Sequence, residues 1–423
     1  MAVATFLQLS DLHLGRPFGW LPADRRAERR SDQRRALERA VREAIERGAH
    51  AILIPGDLFD EAGVDADTMA FALGAFAVTG CPPVFIAPGN HDPWSENSDL
   101  WSPRRLSARG WSWPANVHIF TSAKWQPRDV PGLADVRVWG RCFTSKAPST
   151  ERPLAEGSII LPASADATGL DVCVFHGSLE GALPPGQKIA GPFTEKEVVN
   201  SPFGYHAVGH YHKPSRLEHK AASETSTSSR GASGVASAGV RLAYAGSAVA
   251  LDLTETGVHG ALEVRVEYGR RQPFIEVEPV QLDRRRVHEI KVELGGAASA
   301  EQVDRKIIKA MDEAGATEHD IVVARLAGRL VKGVRYGGPG ADLRAHAFYV
   351  KPDLRGVRPD YDLDAYKRNE PATTEERFAK ALLERIEKEP DAAEKALLER
   401  ALFYGLDAFR LREVVPAYED LGT

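Results

Sequence analysis

Five short clusters in this 423-residue chain carry groups that could act together on one substrate: Asp11-Leu12-His13, Gly56-Asp57, Gly89-Asn90-His91, His176 and Gly209-His210-Tyr211-His212. They are scattered, so only a fold can assemble them. Their donors are carboxylate and amide oxygens and imidazole nitrogens, with no thiolate among them. Asp11, His13, Asp57, Asn90, His176, His210 and His212 make seven candidate ligands. That exceeds one four-coordinate zinc and suits two divalent ions sharing a bridging carboxylate. Such a pair holds both the attacking and the leaving oxygen of a phosphoryl transfer. The chemistry these residues imply is metal-dependent phosphoester hydrolysis.

The spacing of the paired ligands matters. In an extended segment, residues i and i+2 point to the same side. Asp11 with His13, and His210 with His212, can thus each reach a single ion. One Asp-x-His or His-x-His alone arises often by chance and suits a surface or core pair. Five clusters in order, each after an apolar strand, do not read that way.

That order of Asp-x-His, Gly-Asp-x-x-Asp, Gly-Asn-His-Asp, a lone His and Gly-His-x-His resembles the calcineurin-like metallophosphoesterases. Ser10 to Gly15 (SDLHLG), Gly56 to Asp60 (GDLFD) and Gly209 to Pro214 (GHYHKP) are similar to the DNA-repair exonuclease branch, the SbcD-type subunits. Tyr244 to Ser247 (YAGS) and Glu255 to Ala261 (ETGVHGA) resemble that branch's closing strands. The likeness runs over about residues 4 to 282 and weakens beyond.

The resemblance implies a layered αββα sandwich, with two mixed sheets between helices. It implies that Asp11, His13 and His212 take one ion, that Asn90, His176 and His210 take the second, and that Asp57 bridges them. An oxygen and nitrogen shell suits Mn²⁺, Fe²⁺ or Zn²⁺, and the branch favours Mn²⁺. His91 would face the leaving group as general acid or transition-state stabiliser. Asp60 is the first choice to orient it and Asp92 the second, although each also suits a plain turn or cap. The implied partners are DNA and an SMC-like coiled-coil ATPase of the SbcC type, and a homodimer is compatible with the likeness. The chain has no Gly-x-x-x-x-Gly-Lys-Ser/Thr sequence, so ATP dependence would have to come from that ATPase.

Composition sets outer bounds. The length allows two or three domains. The formal charge of −5 describes no globally basic nucleic-acid binder, so contacts to phosphates must come from local patches or a partner. Cys81, Cys142 and Cys173 form no pair motif, which fits a reducing compartment, and Cys173 sits in an apolar run as a core residue. Asp11 and His13 interrupt the N-terminal apolar run and no basic segment precedes it, so no signal peptide is expected. No run reaches the ~18–20 apolar residues of a membrane span. The expected location is cytoplasmic.

The elements that must position the clusters follow from periodicity. Residues 5–9, 51–54 and 84–87 read as buried strands, and 30–47 and 67–78 as helices. Residues 136–139, 172–175 and 207–209 continue the strands, and 241–249 and 260–268 close the sheets. Alternating strands and helices make an α/β domain whose site lies at strand C-termini. Residues 221–240 form a Ser, Ala and Gly-rich insert that reads as a flexible loop.

The pattern changes near Asp283. Residues 299–314 read as a helix between strands at 288–294, 321–326 and 346–350. The expected division is a nuclease domain at 1–282, a small α+β cap at 283–358, and a linker with helical docking segment at 359–423. The cap carries fifteen Lys or Arg against eleven Asp or Glu, so it is locally basic. In the tail, Thr373 and Glu376 form a capping box ahead of a stripe of Phe378, Leu382 and Ile386. Pro390 separates a second helix bearing Leu397, Leu398, Ala401 and Leu402. Two such helices are not expected to bury their own stripes fully, so they fold back on the body or dock a partner.

Two further groups admit a functional and a plain reading. Trp94, Trp101, Trp111 and Trp113 crowd the segment after the Asn-His motif and read as loop packing ahead of base stacking. Arg25, Arg26, Arg29, Arg30, Arg34 and Arg35 read as a solvated helix face ahead of a DNA track. His206 lies inside a strand and reads as structural. Three functions remain in play: a nuclease subunit of a repair complex, a stand-alone phosphoesterase on nucleotides or other small phosphate esters, and a non-catalytic binding module. The full ligand set and His91 argue against the third.

Overall fold

The computed structural model describes residues 1–147, 149–159, 169–182, 188–218, 239–269, 273–331, 334–359, 361–412 and 414. The insert at 221–240 lies outside the described residues except for its last two. Two compact units emerge, one of Met1–Ile290, Ala310–Ala324 and Ala341–Lys351, the other of Lys291–Lys309, Arg325–Gly340 and Pro352–Thr423.

The first unit begins β1 (Ala2–Gln8), α1 (Ala23–Glu46), β2 (Ala51–Ile54), α2 (Ala66–Phe76), β3 (Val84–Ile86), α3 (Pro103–Ser107) and β4 (Val117–Ile119). It continues β5 (Gln126–Asp129), β6 (Val136–Gly140), β7 (Leu170–His176), α4 (Glu195–Asn200), β8 (Tyr205–Gly209) and β9 (Ser215–Glu218). Then come β10 (Val240–Tyr244), β11 (Gly260–Tyr268) and β12 (Phe274–Gln281). The strands form two six-stranded sheets, ordered β12-β11-β1-β2-β3-β4 and β5-β6-β7-β8-β10-β9. The first has a parallel run β1-β2-β3-β4, with β11 and β12 added antiparallel. The second has a parallel run β6-β7-β8-β10, edged by antiparallel β5 and β9.

Side-chain alternation builds the layers. Phe6, Leu53 and Phe85 point inward and meet Val138, Val172, Val174 and Ala207 of the other sheet. Leu7, Ile52, Ile54 and Ile86 point outward and pack under α1 and α2. Cys173, Phe175 and Val208 line the outer face of the second sheet, where α4 contributes Val198. Both faces of the central strands are therefore buried, which is why these strands read as unbroken apolar runs. The result is a layered αββα sandwich.

Among the elements that depart from expectation, two are instructive. α1 starts at Ala23, seven residues before the expected start. Its first half buries Arg29, Asp32 and Gln33, polar groups that an apolar-periodicity reading passes over. Arg29 also corrects the view of a solvated arginine face: it is fully buried and its guanidinium donates to both oxygens of Asp283 at 2.8 and 2.7 Å. The second element, β12, was not expected, because Pro279 interrupts it. It is an edge strand, where a missing N–H costs no ladder bond.

The later elements are β13 (Val287–Glu293), α5 (Ala300–Glu313), β14 (Ile321–Leu330), α6 (Ala341–Ala345), β15 (Tyr349–Pro359), α7 (Leu363–Arg368), α8 (Thr374–Lys388) and α9 (Ala392–Leu411). β13, β14 and β15 form a three-stranded sheet in that order. Within the second unit, α8 and α9 close a small core of Ala379, Leu383, Ile386, Leu398, Leu402 and Leu406. Phe378 and Leu382 pack at its margin with Tyr361, Leu363 and Tyr366. Asp407 of α9 takes a bond from the Tyr361 hydroxyl at 2.7 Å and pairs with Arg329 at 2.8 Å. The tail helices thus cover much of their stripes on each other, but not all of them. Leu397 stays 50% exposed, and Phe409 and Leu411 43%. Among the described residues, no helix is long and apolar enough to cross a membrane.

Candidate metal centre

Every candidate ligand lies at or just beyond the C-terminal end of a parallel strand. Asp11 and His13 follow β1, Asp57 follows β2, and Asn90 and His91 follow β3. His176 ends β7, and His210 and His212 follow β8. The loops are stitched together: the Asp11 amide donates to the Gly56 carbonyl at 3.2 Å and the His13 amide to that of Asp57 at 3.0 Å.

Ligand atoms of Asp11, His13 and His212 all lie within 4.8 Å of one another, as do those of Asp11, Asp57 and His176. One Asp57 oxygen, Oδ2, sits 3.7 Å from His13 Nε2 and 3.3 Å from His176 Nε2. Its other oxygen accepts the His91 amide at 2.9 Å. Asp11 accepts the His210 amide at 3.2 and 3.1 Å, and His210 Nδ1 lies 3.2 Å from His176 Nε2.

The local backbone is unusual. Asp11, His13 and Asp57 have φ near +50°, and His210 has φ +116°. Such conformations cost about 1–3 kcal/mol each for non-glycine residues and gather at functional sites. The extended geometry expected for Asp11-x-His13 is corrected here: both residues are left-handed, yet both side chains reach the cluster. Gly56 and Gly89 follow from the same crowding. A Cβ on Gly89 would overlap the Asp57 carboxylate, and one on Gly56 the His176 ring.

The donor set fits a pair of cations. His13 is buried with neither ring nitrogen hydrogen-bonded, and Asn90 Oδ1 is also buried without a partner. Orphaned polar atoms cost about 1–3 kcal/mol each, and His13 lies among the oxygen and nitrogen donors of the cluster. The remaining imidazoles are anchored through one nitrogen. His176 Nδ1 lies 2.9 Å from the Pro55 carbonyl, His210 Nε2 2.7 Å from that of Lys188, and His212 Nδ1 2.7 Å from Glu255 Oε1. The other nitrogens of His176 and His210 face each other at the centre, and anchoring through the first nitrogen orients metal-binding histidines generally.

Electrostatics agree. Burial raises the Asp11 carboxyl and lowers the His13 imidazole to about 3. Against the cost of burial, His176 holds the Asp57 carboxyl below its usual range, and Asp57 lifts His176 to about 9. Against burial too, the bond from His212 holds Glu255 at about 2.

His91 stands at the open side, its side chain 45% exposed. Its Nδ1 lies 3.8 Å from Asp60 Oδ1, and Arg16 lies 3.7 Å from the other Asp60 oxygen. Asp60 raises the His91 imidazole above its ordinary value. Asp92, the second choice as its orienting partner, is turned elsewhere: it accepts the Phe59 and Gly89 amides at 3.0 and 2.7 Å and fastens two loops. The tryptophans are packing. Trp101 is buried and stacks on Trp113 at 5.4 Å, and its indole N–H is taken by the Asp92 carbonyl.

Two residues support the site without any motif to mark them in the sequence. Gln33 of α1 donates to the carbonyls of Leu12 and His13 at 2.6 and 2.7 Å. Glu255 falls within the stretch that resembles the closing strands, and its distance from His212 along the chain gives no spacing signal.

Residues 4–214 match the family described as calcineurin-like phosphoesterase. The uncharacterized metallophosphoesterase YhaO of Bacillus subtilis (strain 168) is 27% identical over 274 residues, 63% of this chain and 58% of that protein. The match therefore spans less than two thirds of that relative's length. The crystal structure of TT1561 of Thermus thermophilus aligns over 66% of this chain and all of that one, at 13% identity and a TM-score of 0.33.

Proposed function

We propose that this chain, which belongs to the calcineurin-like metallophosphoesterases through residues 4–214, hydrolyses phosphodiester bonds in DNA as the nuclease subunit of a repair complex. One observation carries the chemistry. A single oxygen of Asp57 faces imidazoles from both sheets, and both nitrogens of His13, one of those imidazoles, are without a hydrogen-bond partner. Asp11, His13 and His212 would hold one divalent ion, Asn90, His176 and His210 the other, and Asp57 would span them. Two Mn²⁺ are the first choice, with Fe²⁺ or Zn²⁺ also suited. Bound ions of this kind neutralise phosphate oxygens and lower the pKa of a water.

The protein's own groups do the rest. Asp60 beside Nδ1 favours the protonated His91 ring. A protonated imidazole there can give its proton to the leaving oxygen as general acid. Arg16 in turn holds the far oxygen of Asp60.

DNA as substrate and an SMC-like ATPase as partner rest on the SbcD-like motifs around Asp11, Asp57 and His212. Residues 1–282 would act as nuclease domain, 283–358 as cap and 359–423 as docking segment. Leu397 and Leu411 are exposed on one side of α9 and offer that segment apolar contacts. A second reading, a stand-alone phosphoesterase on nucleotides or other small esters, gains from the stripe of α8 and α9 being spent largely on the tail's own core. The test is incubation with Mn²⁺ and either linear DNA or bis-p-nitrophenyl phosphate, with chelated controls. Metal-dependent cleavage of both supports the nuclease. Cleavage of the small diester alone moves the reading to the second, and turnover of neither overturns both.

A further inference from the structure

Three anchored imidazoles face the centre, and their anchors differ in kind. His176 and His210 lean on neutral carbonyls, those of Pro55 and Lys188. His212 leans on a carboxylate, that of Glu255, at 2.7 Å. We infer that Glu255 is a positioning residue that orients His212 and makes the two ion positions unequal, the one formed by Asp11, His13 and His212 binding more tightly. The inference rests on the two-ion reading above.

Glu255 is built in for this purpose. Its side chain is only 14% exposed. While Oε1 takes the His212 ring, Oε2 accepts the Leu251 amide at 2.9 Å and the Ser247 hydroxyl at 3.0 Å. The Ser247 hydroxyl also lies 3.0 Å from His259 Nδ1, and His259 Nε2 lies 3.1 Å from the Glu255 carbonyl. The Ser247 amide donates to the His212 carbonyl at 2.9 Å. Ring and backbone of His212 are thus gripped by one segment. An anchored carboxylate fixes the tautomer that presents Nε2 and makes the ring a stronger donor than a carbonyl anchor does. Asp57, between the two positions, favours neither.

The experiment uses full-length protein stripped of metal and titrated with Mn²⁺ alone, binding being followed by calorimetry and by the Mn²⁺ electron spin resonance signal. Wild type should bind in two separable steps. Glu255→Gln, which keeps size and removes charge, should weaken the tighter step by about 10- to 100-fold and leave the other unchanged. Glu255→Asp, which keeps charge but retracts it, should weaken the same step less. Melting curves of the metal-free proteins show whether each variant folds. If Glu255→Gln fails to fold, Ser247→Ala takes its place, with a smaller loss in the same step expected. Unchanged binding in the folded variants, or equal weakening of both steps, would overturn the inference. Wild type binding no Mn²⁺ is a different result and defeats the two-ion reading itself.

Discussion

Asp57 is the residue on which the two halves of the site converge, and it makes the sharpest test. Asp57→Ala should lose the shared ligand and all turnover, and metal content by elemental analysis should fall from about two ions per chain. Circular dichroism should stay near wild type, because the site lies on loops beyond the strands. A variant with both ions and full turnover would refute the bridge. His91→Asn separates binding from chemistry. Metal content should hold while DNA and small-diester cleavage drop by ~10²–10⁴-fold, the usual contribution of a general acid. At this scale the sequence was informative about identities, since donor chemistry travels with residue type. It was silent about backbone: nothing in Asp-Leu-His announces φ near +50° at both ends. It was equally silent about Gln33 and Glu255, whose roles exist only once distant segments meet.

At the scale of elements, the buried polar groups of α1 and β8 carry stability. Removing Asp283 leaves the unexposed Arg29 guanidinium with the Ala250 carbonyl at 2.8 Å and the Asp32 carboxylate at 3.8 Å in place of a bidentate pair. Asp283→Ala should cost about 3–5 kcal/mol in urea unfolding, the usual loss when one partner of a buried pair is removed. His206 in β8 is held neutral, with burial lowering it to about 3. Its ring lies 2.6 Å from the Ser201 hydroxyl and 2.9 Å from the Arg241 carbonyl. Between pH 6.5 and about 3 the unfolded chain binds this proton and the folded chain does not. Its contribution is therefore full above pH 6.5 and is lost as pH falls, by up to about 1.4 kcal/mol per pH unit. His206→Gln should flatten the urea-midpoint profile between pH 7 and 5, and an unaltered profile would contradict the neutral ring. Elements with an apolar period, such as β1, β2 and α2, were legible in the sequence. The start of α1 and all of β12 were not. One buries charge and the other is an edge strand with a proline, so neither displays the period that betrays a core-facing segment.

For the molecule as a whole, the tail offers the test of partnership. Leu397→Glu combined with Leu411→Glu changes exposed positions only. Melting temperature and hydrolysis of bis-p-nitrophenyl phosphate should stay unchanged, while co-purification with a coiled-coil ATPase should be lost. Retention of the ATPase by the variant would remove this face from the interface. The centre itself has another consequence, because its donors are divided between the sheets. The first sheet brings Asp11, His13, Asp57 and Asn90; the second brings His176, His210 and His212. Neither sheet owns a complete set, so the ions would act as a clasp that closes only after the sheets have docked. A clasp of that kind reports on folding. Each site at hundredfold excess of ion over its dissociation constant would add about 2.7 kcal/mol to the folded state. Chelation should therefore lower the melting temperature of the wild-type protein and barely move that of Asp57→Ala. A half-folded chain would have no grip on the metal, so phosphoester cleavage would be withheld until both sheets are in place.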